Sequence, residues 1–506
     1  MKEISLMCFA LASLCAQAGG TPTFSVTVWR GETAYVEIPA DAGHVMLEKT
    51  IYPLDGVSLS IYCFDDVAYE TAPGGKGMRS RPDVLRKLHP GSGKGLESPA
   101  ICRVSAAPDA KPGRRVFGRL EVTVVDRALP PPAKWKYSLD LWQHPWAVAR
   151  YFNVKPFSDQ HLAKMMPILR TLADCGCKTL TVTLLDRPWN GQCHDAYGSM
   201  VTRTKKADGS WSFDYSTFDR YVDMGRRCGV GPDIACYTMC PWGWMAAWCD
   251  ADGKLHREKL LPGTPEFEDY WGDFLVDFAS HLRSKGWFDD TYIAMDEREP
   301  EDVRKVVELV ARKAPGMKIS MAGNRKPSDF KDIAIDNYSQ SLHYLTKDFF
   351  DELAPRREKG WRTTIYVCCT ERRPNTFMES GADEGFWLGA YPYMAGFDGF
   401  LRWAANSWPE DPYRDASFKT ASWRAGDTFL VYPEGEMSSR LLDLRRGVVA
   451  AEKLRIMREA DEVTDAEIAE VVSRYGWLGA QAGKFDYGKF RSEVESLVSR
   501  PASRSM

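Results

Sequence analysis

The sequence has no excess of charge of one sign. It contains 66 Lys and Arg residues against 69 Asp and Glu residues, and its formal net charge is -3. The two signs are interspersed, so the chain has no basic face for the phosphates of a nucleic acid. We therefore expect no nucleic-acid partner, and a neutral ligand fits the charge pattern better.

The sequence also lacks the long apolar run that a membrane-spanning helix needs. After the N-terminus no segment has about 18 consecutive apolar residues, so we expect no transmembrane segment. The N-terminus carries Lys2, an apolar stretch over 6–14 and small residues at 16 and 18, which is typical of a signal peptide. We predict cleavage after Ala18 and export to the bacterial periplasm or cell surface. A lipid anchor on Cys15 is an alternative, although the large Leu14 before it disfavours one.

Signatures of metal binding and of serine hydrolases are missing as well. The cysteines lack the repeated CxxC spacing of a structural zinc site, and no G-x-S-x-G elbow is present. Loss of Cys8 and Cys15 with the signal peptide leaves 11 of the 13 cysteines, an odd number that cannot all pair. We expect buried cysteines with one or two disulfides at most, no bound metal and no cofactor.

Aromatic residues, in contrast, are abundant. The 506 residues include 17 Trp and 21 Tyr, whose flat rings fill cores and can also stack on the faces of sugars. A chain of this length exceeds what one hydrophobic core usually organises. We therefore expect a multidomain protein.

The first part of the chain has the pattern of an all-β domain. Short alternating runs such as 24–29 and 120–125 are typical of strands, and they predict a β-sandwich domain over 21–128. The Gly-rich, basic stretch 73–95 interrupts the pattern, so we predict an exposed loop there. Three prolines at 130–132 make a stiff linker after the sandwich.

From residue 135 onward, apolar strand-like runs alternate with amphipathic helices, the order of β/α units around a parallel sheet. Thr264 followed by Pro265 is the clearest helix start. Eight strands close a TIM barrel, so we predict a (β/α)8 catalytic domain over 135–460, followed by a C-terminal helical segment over 461–506. The predicted strands are 137–142, 179–185, 233–238, 291–296, 318–322, 333–338, 363–369 and 399–405.

One connection in this scheme is too short. The stretch 323–332 between the fifth and sixth predicted strands has barely the dozen residues that a parallel crossover requires. We infer that the fifth or the sixth strand is misplaced.

Asp296 and Glu297 give the sharpest chemical signal. They end the fourth predicted strand, and the active site of a TIM barrel lies at the C-terminal ends of its strands. Two adjacent, partly buried carboxyl groups push their pKa values apart, as acid/base chemistry requires. The competing interpretation is a solvated turn that caps the helix after Pro300.

Adjacent carboxylates are poorly placed for ordinary glycoside hydrolysis, in which two carboxyl groups lie about 5 to 10 Å apart across the bond. Hydrolysis of a 2-acetamido sugar removes this difficulty. The acetamido carbonyl oxygen of the substrate is then the nucleophile, and one carboxylate only orients the amide. The pair therefore favours an acetamido sugar as substrate.

Several short motifs of the chain resemble those of glycoside hydrolase family 123, over roughly residues 135 to 459. The motifs are MDER at 295–298, GFLRW at 399–403 with NSW at 406–408, GDTFLVYP at 426–433, and SRL at 439–441 ahead of LRRG at 444–447. The resemblance implies a β-sandwich followed by a TIM barrel. It also implies exo-acting β-N-acetylgalactosaminidase activity that retains configuration through an oxazolinium intermediate.

In this resemblance Glu297 is the general acid and then the general base, and Asp296 holds the acetamido N–H. A tyrosine that hydrogen-bonds the attacking carbonyl is expected, and Tyr338 and Tyr391 are the candidates. Further sugar-binding candidates, chosen only by their position after strands, are Trp142, His144, Asn337, Trp403 and Trp408. Additional residues in such positions are Trp189, Trp242, Trp244, His194, His343, Asp186, Asn190 and Asp336.

Two alternatives remain open at this stage. The first is a two-carboxylate glycosidase for another sugar, with Glu297 as acid and Asp186, Asp383 or Glu384 as its partner. The second is a non-catalytic carbohydrate-binding protein on the same fold. Sequence spacing does not distinguish a galacto from a gluco sugar.

Overall fold

The computed structural model describes residues 24–39, 53–72, 77–89, 99–419 and 422–500. The predicted signal peptide over 1–18, with Cys15, lies outside these residues. Among the described helices, none is both long and apolar enough to cross a membrane.

Two β-sheets form the first part of the protein. One is ordered β2-β5-β3-β4 and is antiparallel, and the other is ordered β1-β7-β6 with β1 and β7 parallel. Their inward residues, including Val28, Ile61, Val104 and Val122, share one hydrophobic cluster. The strands are β1 (Phe24–Arg30), β2 (Thr33–Ile38), β3 (Val57–Glu70), β4 (Met78–Lys87), β5 (Ala100–Ala106), β6 (Gly113–Phe117) and β7 (Leu120–Ala128).

The prediction of an exposed loop over 73–95 is wrong for its central part, which forms β4 and pairs with β3. Asp83, Val84 and Leu85 of β4 are buried. The polar composition of the segment was misleading because Asp83 is buried as the ion-pair partner of Arg440, at 3.0 Å. The strand β4 therefore extends the sheet in a segment that the sequence suggested to be exposed to solvent.

Eight parallel strands form the predicted barrel, in the order β8-β19-β18-β17-β16-β15-β12-β9. Seven agree with their predicted positions to within three residues at each end. The prediction of the sixth strand over 333–338 is wrong, since this strand runs over 337–341. The crossover between the fifth and sixth strands is therefore longer than the sequence suggested. The strands are β8 (Ser138–Leu141), β9 (Thr179–Thr183), β12 (Asp233–Tyr237), β15 (Thr291–Asp296), β16 (Lys318–Gly323), β17 (Asn337–Ser341), β18 (Arg362–Val367) and β19 (Gly399–Arg402).

A side chain closes the barrel between its first and second strands. β8 and β9 share no regular ladder, and a backbone bond from Lys178 N to Leu139 O, at 2.8 Å, joins their edges. Gln143, which is fully buried, accepts from Thr181 N at 2.9 Å and donates to Thr179 O at 3.1 Å. The amide of Gln143 thus supplies the hydrogen bonds that a strand pair would otherwise provide.

Helices pack around the barrel, and their ends follow the sequence. The Ser158 hydroxyl accepts from His161 N, and the Thr264 hydroxyl accepts from Phe267 N, as N-caps do. The α-helices of this part are Pro145–Tyr151, Asp159–Asp174, Ser216–Cys228, Pro265–Lys285, Pro300–Lys313, Leu353–Glu358, Glu384–Met394 and Ser439–Glu459. Three further helices follow at Asp465–Arg474, Trp477–Ala480 and Tyr487–Val498.

A small additional sheet is inserted after the second and third barrel strands, ordered β11-β10-β13-β14. It consists of β10 (Thr202–Lys205), β11 (Trp211–Asp214), β13 (Met245–Asp250) and β14 (Leu255–Lys259). Both insertions follow the C-terminal ends of barrel strands, so this sheet stands on the face of the barrel where active sites lie. The described residues contain eleven free cysteines, most of them buried.

Candidate active site

The acidic pair lies at the end of β15, where the backbone turns. Asp296 is the last residue of the strand, and Glu297 has a positive φ of 48°. The Glu297 N–H donates to the carbonyl of Ala322 on β16 at 2.8 Å, which fixes the turn. The following helix begins after Glu299, whose side chain makes no capping bond. The pair therefore does not cap this helix, in contrast to the competing interpretation.

Two indole N–H groups hold the carboxyl of Asp296. Nε1 of Trp189 and Nε1 of Trp242 each donate to Asp296 Oδ2 at 3.1 Å. Burial, and then the neighbouring charge of Glu297, raise the pKa of Asp296 to about 7, although Arg298 and the two indoles oppose this rise. Around neutral pH the pair thus holds a proton that can move, as acid/base chemistry requires.

Tyr366 reaches Glu297 from across the barrel. Its hydroxyl donates to Glu297 Oε1 at 2.5 Å. Burial, followed by the charge of Glu297, raises the pKa of Tyr366 well above its ordinary value, so this tyrosine is a hydrogen-bond donor throughout the physiological range. Each carboxyl of the pair therefore has its own donor group.

Aromatic rings form the floor of the site inside the barrel. Trp142 lies 5.2 Å from Trp189 and 4.6 Å from Tyr237 between ring centroids, and Trp189 lies 4.8 Å from Tyr197. The small side chains Ala294 and Ala322, with Tyr366 and Leu401, belong to the same cluster. The cluster presents ring faces and edges next to the carboxyls, which suits the apolar faces of a sugar.

Arg298 connects the acidic pair to the indoles. Its Nε donates to the backbone carbonyl of Asp296 at 3.0 Å. Its guanidinium carbon lies 4.8 Å from the ring centroid of Trp242 and 5.6 Å from that of Trp244. One side chain thus holds both the backbone of Asp296 and an indole that binds its carboxyl.

Besides Trp189 and Trp242, which hold Asp296, two more of the predicted sugar-binding residues lie at this site. Trp142 belongs to the aromatic floor, and Trp403 packs against it while its Nε1 donates to Asp427 at 3.1 Å. The side chain of Trp423 adds a second ring 5.9 Å from Trp403 and donates to Gln192 O at 2.7 Å. Trp403 and Trp423 therefore form an aromatic wall beside the floor.

The structure does not bring the two candidate tyrosines to the acidic pair. Tyr338 is the second residue of β17, not the last, and its ring packs outside the barrel 6.0 Å from Phe330. Tyr391 lies in the helix Glu384–Met394, stacks 4.1 Å from Trp387, and its hydroxyl accepts from Trp477 N. The prediction for Tyr338 followed from the misplaced sixth strand, and that for Tyr391 from a loop that is a helix.

Three other candidates have structural contacts instead. Asn337 begins β17, at the end of the barrel opposite the acidic pair, and its amide lies 3.4 Å from Ser320 Oγ. Trp408 is fully buried and donates to Val431 O at 2.7 Å. His144 caps the helix Pro145–Tyr151 and stacks 3.6 Å from Tyr197, and burial lowers its pKa to about 4.

Sequence reasoning missed Tyr366, Tyr237 and Tyr197. The signal for Tyr366 was the two-residue alternation of β18, in which Arg362, Thr364 and Tyr366 share one face. This inward face precedes the strand end, where the other candidates lie. Tyr197 had no such signal, because it lies in an irregular connection after β9.

The proposed carboxylate partners for a two-carboxylate mechanism have other contacts. Asp186 pairs with Arg257 at 2.6 Å, and Asp383 pairs with Arg491 at 2.7 Å. Glu384 is buried and accepts from the backbone N–H groups of Asn375 and Gly381, each at 2.8 Å. Within the described ranges, no group of three His, Cys, Asp or Glu side chains is arranged to hold a metal ion.

Comparisons with known proteins agree with this architecture. The family model for the catalytic domain of glycoside hydrolase 123 matches residues 142–457. A solved family 123 glycoside hydrolase from Clostridium perfringens, studied for glycolipid glycan hydrolysis, has a TM-score of 0.78 and 22% sequence identity, covering 94% of this chain and 92% of that chain. At this identity the likeness shows the fold, which includes both the sandwich and the barrel.

More distant solved structures are also similar in part. The β-amylase catalytic domain from Paenibacillus polymyxa has a TM-score of 0.33 and 11% identity, with 62% of this chain and 98% of that chain covered. A GH20 β-N-acetylhexosaminidase from Streptomyces coelicolor A3(2) has a TM-score of 0.31 and 11% identity, with 79% and 75% covered. These scores are too low to support an inference. The comparison with curated proteins found no match.

Proposed function

The chain belongs to glycoside hydrolase family 123, and from that premise we propose that it releases terminal β-linked N-acetylgalactosamine from glycans. The enzyme is exo-acting and retains the anomeric configuration through an oxazolinium intermediate. The N-terminal segment supports action outside the cytoplasm, after export to the periplasm or cell surface.

The observation that carries this proposal is the environment of Asp296. Two indole N–H groups bind the same oxygen, Oδ2, at 3.1 Å each, and no group of the described residues donates to Oδ1. An acetamido N–H can therefore donate to the other oxygen as a further partner. This extra donor favours the charged form of Asp296, which leaves the shared proton on Glu297.

In the first step the acetamido carbonyl oxygen attacks C1 of the sugar. The bond from C1 to the leaving oxygen breaks, and Glu297 transfers its proton to that oxygen. The oxazolinium ion that forms carries a positive charge next to the carboxylate of Asp296, which stabilises it. Tyr366 lies beside Glu297, and when its hydroxyl turns from Glu297 Oε1 to the substrate it replaces the expected Tyr338 or Tyr391 as the donor for the attacking carbonyl.

In the second step water attacks C1 from the side that the leaving group has vacated. Glu297, now a carboxylate, accepts the proton of the water, and the bond from C1 to the oxazolinium oxygen breaks. The acetamido group is restored and the product keeps the β configuration. Asp296 is charged throughout and moves no proton in the catalytic cycle.

The preference for a galacto sugar is supported by family membership. The solved relative from Clostridium perfringens was studied for glycolipid glycan hydrolysis. We propose glycolipid glycans that end in N-acetylgalactosamine as one substrate class of this enzyme.

Chromogenic β-N-acetylgalactosaminide and β-N-acetylglucosaminide, assayed with the mature protein, test this function directly. We expect turnover of the galacto substrate, inhibition by an N-acetylgalactosamine thiazoline that mimics the oxazolinium ion, and a loss of about 10³-fold or more in kcat for Glu297→Gln. Glu299→Gln, two residues further on and exposed, is the matched control and should keep full activity.

The outcomes separate the possible mechanisms. Activity that the thiazoline does not inhibit would exclude substrate assistance and favour a second carboxylate. An active Glu297→Gln variant, or turnover of neither sugar, would overturn the proposal.

A further inference from the structure

The inserted sheet borders a cavity that is separate from the acidic pair. The cavity has a volume of about 400 Å³ and lies between the sheet and the helix Pro265–Lys285. Trp248 and Glu258 face it from the hairpin of β13 and β14. Arg257, between Leu255 and Glu258 along β14, points to the opposite face and pairs with Asp186. The cavity therefore opens away from the catalytic chamber.

Three aromatic rings form a rigid corner of this cavity. Trp211 and Trp248 lie 6.2 Å apart at 77°, and Tyr270 lies 5.6 Å from Trp211 at 80°. The Tyr270 hydroxyl donates to Ala247 O at 2.9 Å, and His256 stacks on Trp248 at 5.6 Å. Because each ring is held by another contact, the corner has its shape before any ligand arrives, which lowers the entropic cost of binding.

Polar groups of the cavity have unused hydrogen-bonding capacity. The carboxylates of Glu258 and Glu266 have no hydrogen-bond or ion-pair partner among the described residues. The Nε1 of Trp211 is buried without an acceptor. This nitrogen is closed off from solvent, so the two carboxylates are the groups that a ligand in the cavity can reach.

The chemistry of the cavity selects one class of ligand. Lys205 already places its ammonium 4.9 Å from the ring centroid of Trp211 and pairs with Asp269 at 2.8 Å, so the position for a cation is filled. The two free carboxylates disfavour an anion. Two acceptors remain beside aromatic rings. Sugar hydroxyls donate to such acceptors while the C–H face of a sugar packs on a ring.

We propose that this cavity is a second saccharide-binding site, which holds a neutral part of a glycan away from the cleaved sugar. Its ligand stacks on Trp248, and its hydroxyls donate to Glu258 and Glu266. The site lies on the same face of the barrel as the acidic pair, because Trp242 precedes β13 by three residues and donates to Asp296. This inference rests on the action of the family on glycans and not on the acetamido preference.

Isothermal titration calorimetry with a neutral tetrasaccharide that ends in β-linked N-acetylgalactosamine tests the site. Glu297→Gln serves as the parent, so that the probe is not hydrolysed. We expect the parent to bind two equivalents. Adding Trp248→Ala or Glu258→Gln should weaken the second equivalent by about three- to tenfold and leave the first unchanged.

Trp361→Ala is the matched control, since Trp361 is also partly exposed and lies just before β18 at the opposite end of the barrel. It should leave both equivalents unchanged. Glu258→Gln is exposed and keeps the shape of the side chain, so it tests the site without a risk to folding. A parent that binds one equivalent, or variants that bind as the parent does, would overturn the second site.

An activity measurement separates this inference from the proposed function. In the active enzyme, Trp248→Ala should leave kcat/KM on a chromogenic monosaccharide unchanged, because the cavity lies outside the catalytic chamber. Equal losses on the monosaccharide and the tetrasaccharide would show a catalytic or structural role and contradict a second site. A wild-type protein without turnover that still binds the second equivalent would refute only the proposed function.

Discussion

Asp296 gains its chemistry from residues that are distant in sequence. Trp189 and Trp242 follow two other strands, and both donate to its Oδ2. The sequence predicted the acidic pair because it ends an apolar strand and because two adjacent acids are unsuited to ordinary glycosidase geometry. It did not predict Tyr366, since that residue is recognised by the direction of its side chain on β18. Position along the chain indicated Trp142, Trp189 and Trp242, which follow strands, but not the inward-facing Tyr366.

Trp242→Phe tests the contribution of one indole donor to the site. An aromatic ring that can pack on Arg298 remains, while the N–H to Asp296 is lost together with part of the indole. We expect kcat/KM to fall by about 10- to 100-fold, the usual effect of losing a hydrogen bond to a charged group. The chromogenic assay measures this loss, and Trp361→Phe is the control with no expected effect.

The same variant has a predicted effect on pH dependence. In the wild type, kcat/KM should decline above about pH 7, where the pair loses its shared proton, because the pKa of Asp296 is about 7. The indole N–H lowers this pKa, so its removal raises the pKa and moves the basic limb to higher pH. A basic limb that stays in place, or moves to lower pH, would contradict this role of Trp242.

At the scale of elements, the correct and the incorrect predictions of helices and strands have the same origin. The helix start at Thr264 was predicted correctly because capping depends on neighbouring residues. The sixth strand was misplaced because Asn337, Ser339 and Ser341 are polar and face the barrel interior, whereas we searched for an apolar run. The closure between β8 and β9 depends on one amide side chain, which no periodicity indicates.

Gln143→Ala tests this closure. The substitution leaves Thr181 N–H and Thr179 C=O without their partner in a buried place, so the free energy of unfolding should fall by roughly 2–4 kcal/mol. Denaturant unfolding measures the change. Gln340→Ala is the matched control, since Gln340 is equally buried in β17 and makes a single bond, to Ser341 O at 3.1 Å. Equal losses for the two variants would exclude a special role for Gln143.

At the scale of the whole molecule, a buried ion pair joins the N-terminal sheets to the barrel. Asp83 of β4 is fully buried, and Arg440 at the start of the helix Ser439–Glu459 binds both of its oxygens. Tyr432 and Ser439 donate to the same carboxylate at 2.7 Å each. The sequence predicted both parts of the fold but gave no indication of this contact, because the partners lie more than three hundred residues apart.

Asp83→Ala should destabilise the whole protein. Arg440 keeps its bonds to the carbonyls of Thr376, Gly426 and Phe429, but its charge remains buried without a counter-ion, which costs about 3–5 kcal/mol. The apparent melting temperature, followed by circular dichroism, measures the loss. Asp348→Ala removes the same charge from an exposed pair with Lys326 and should change little. A result in which Asp83→Ala melts as the wild type does would show that the contact is dispensable.

The pairing of Asp83 with Arg440 also bears on how such an enzyme can change during evolution. A gene fragment that encodes the barrel alone would produce a buried arginine without its carboxylate, and the sandwich alone would expose Asp83 and the apolar residues beside it. Recombination between the two parts would therefore be selected against. We expect sandwich and barrel to be inherited together as one unit, and new specificities to arise in the loops and the inserted sheet at the open face.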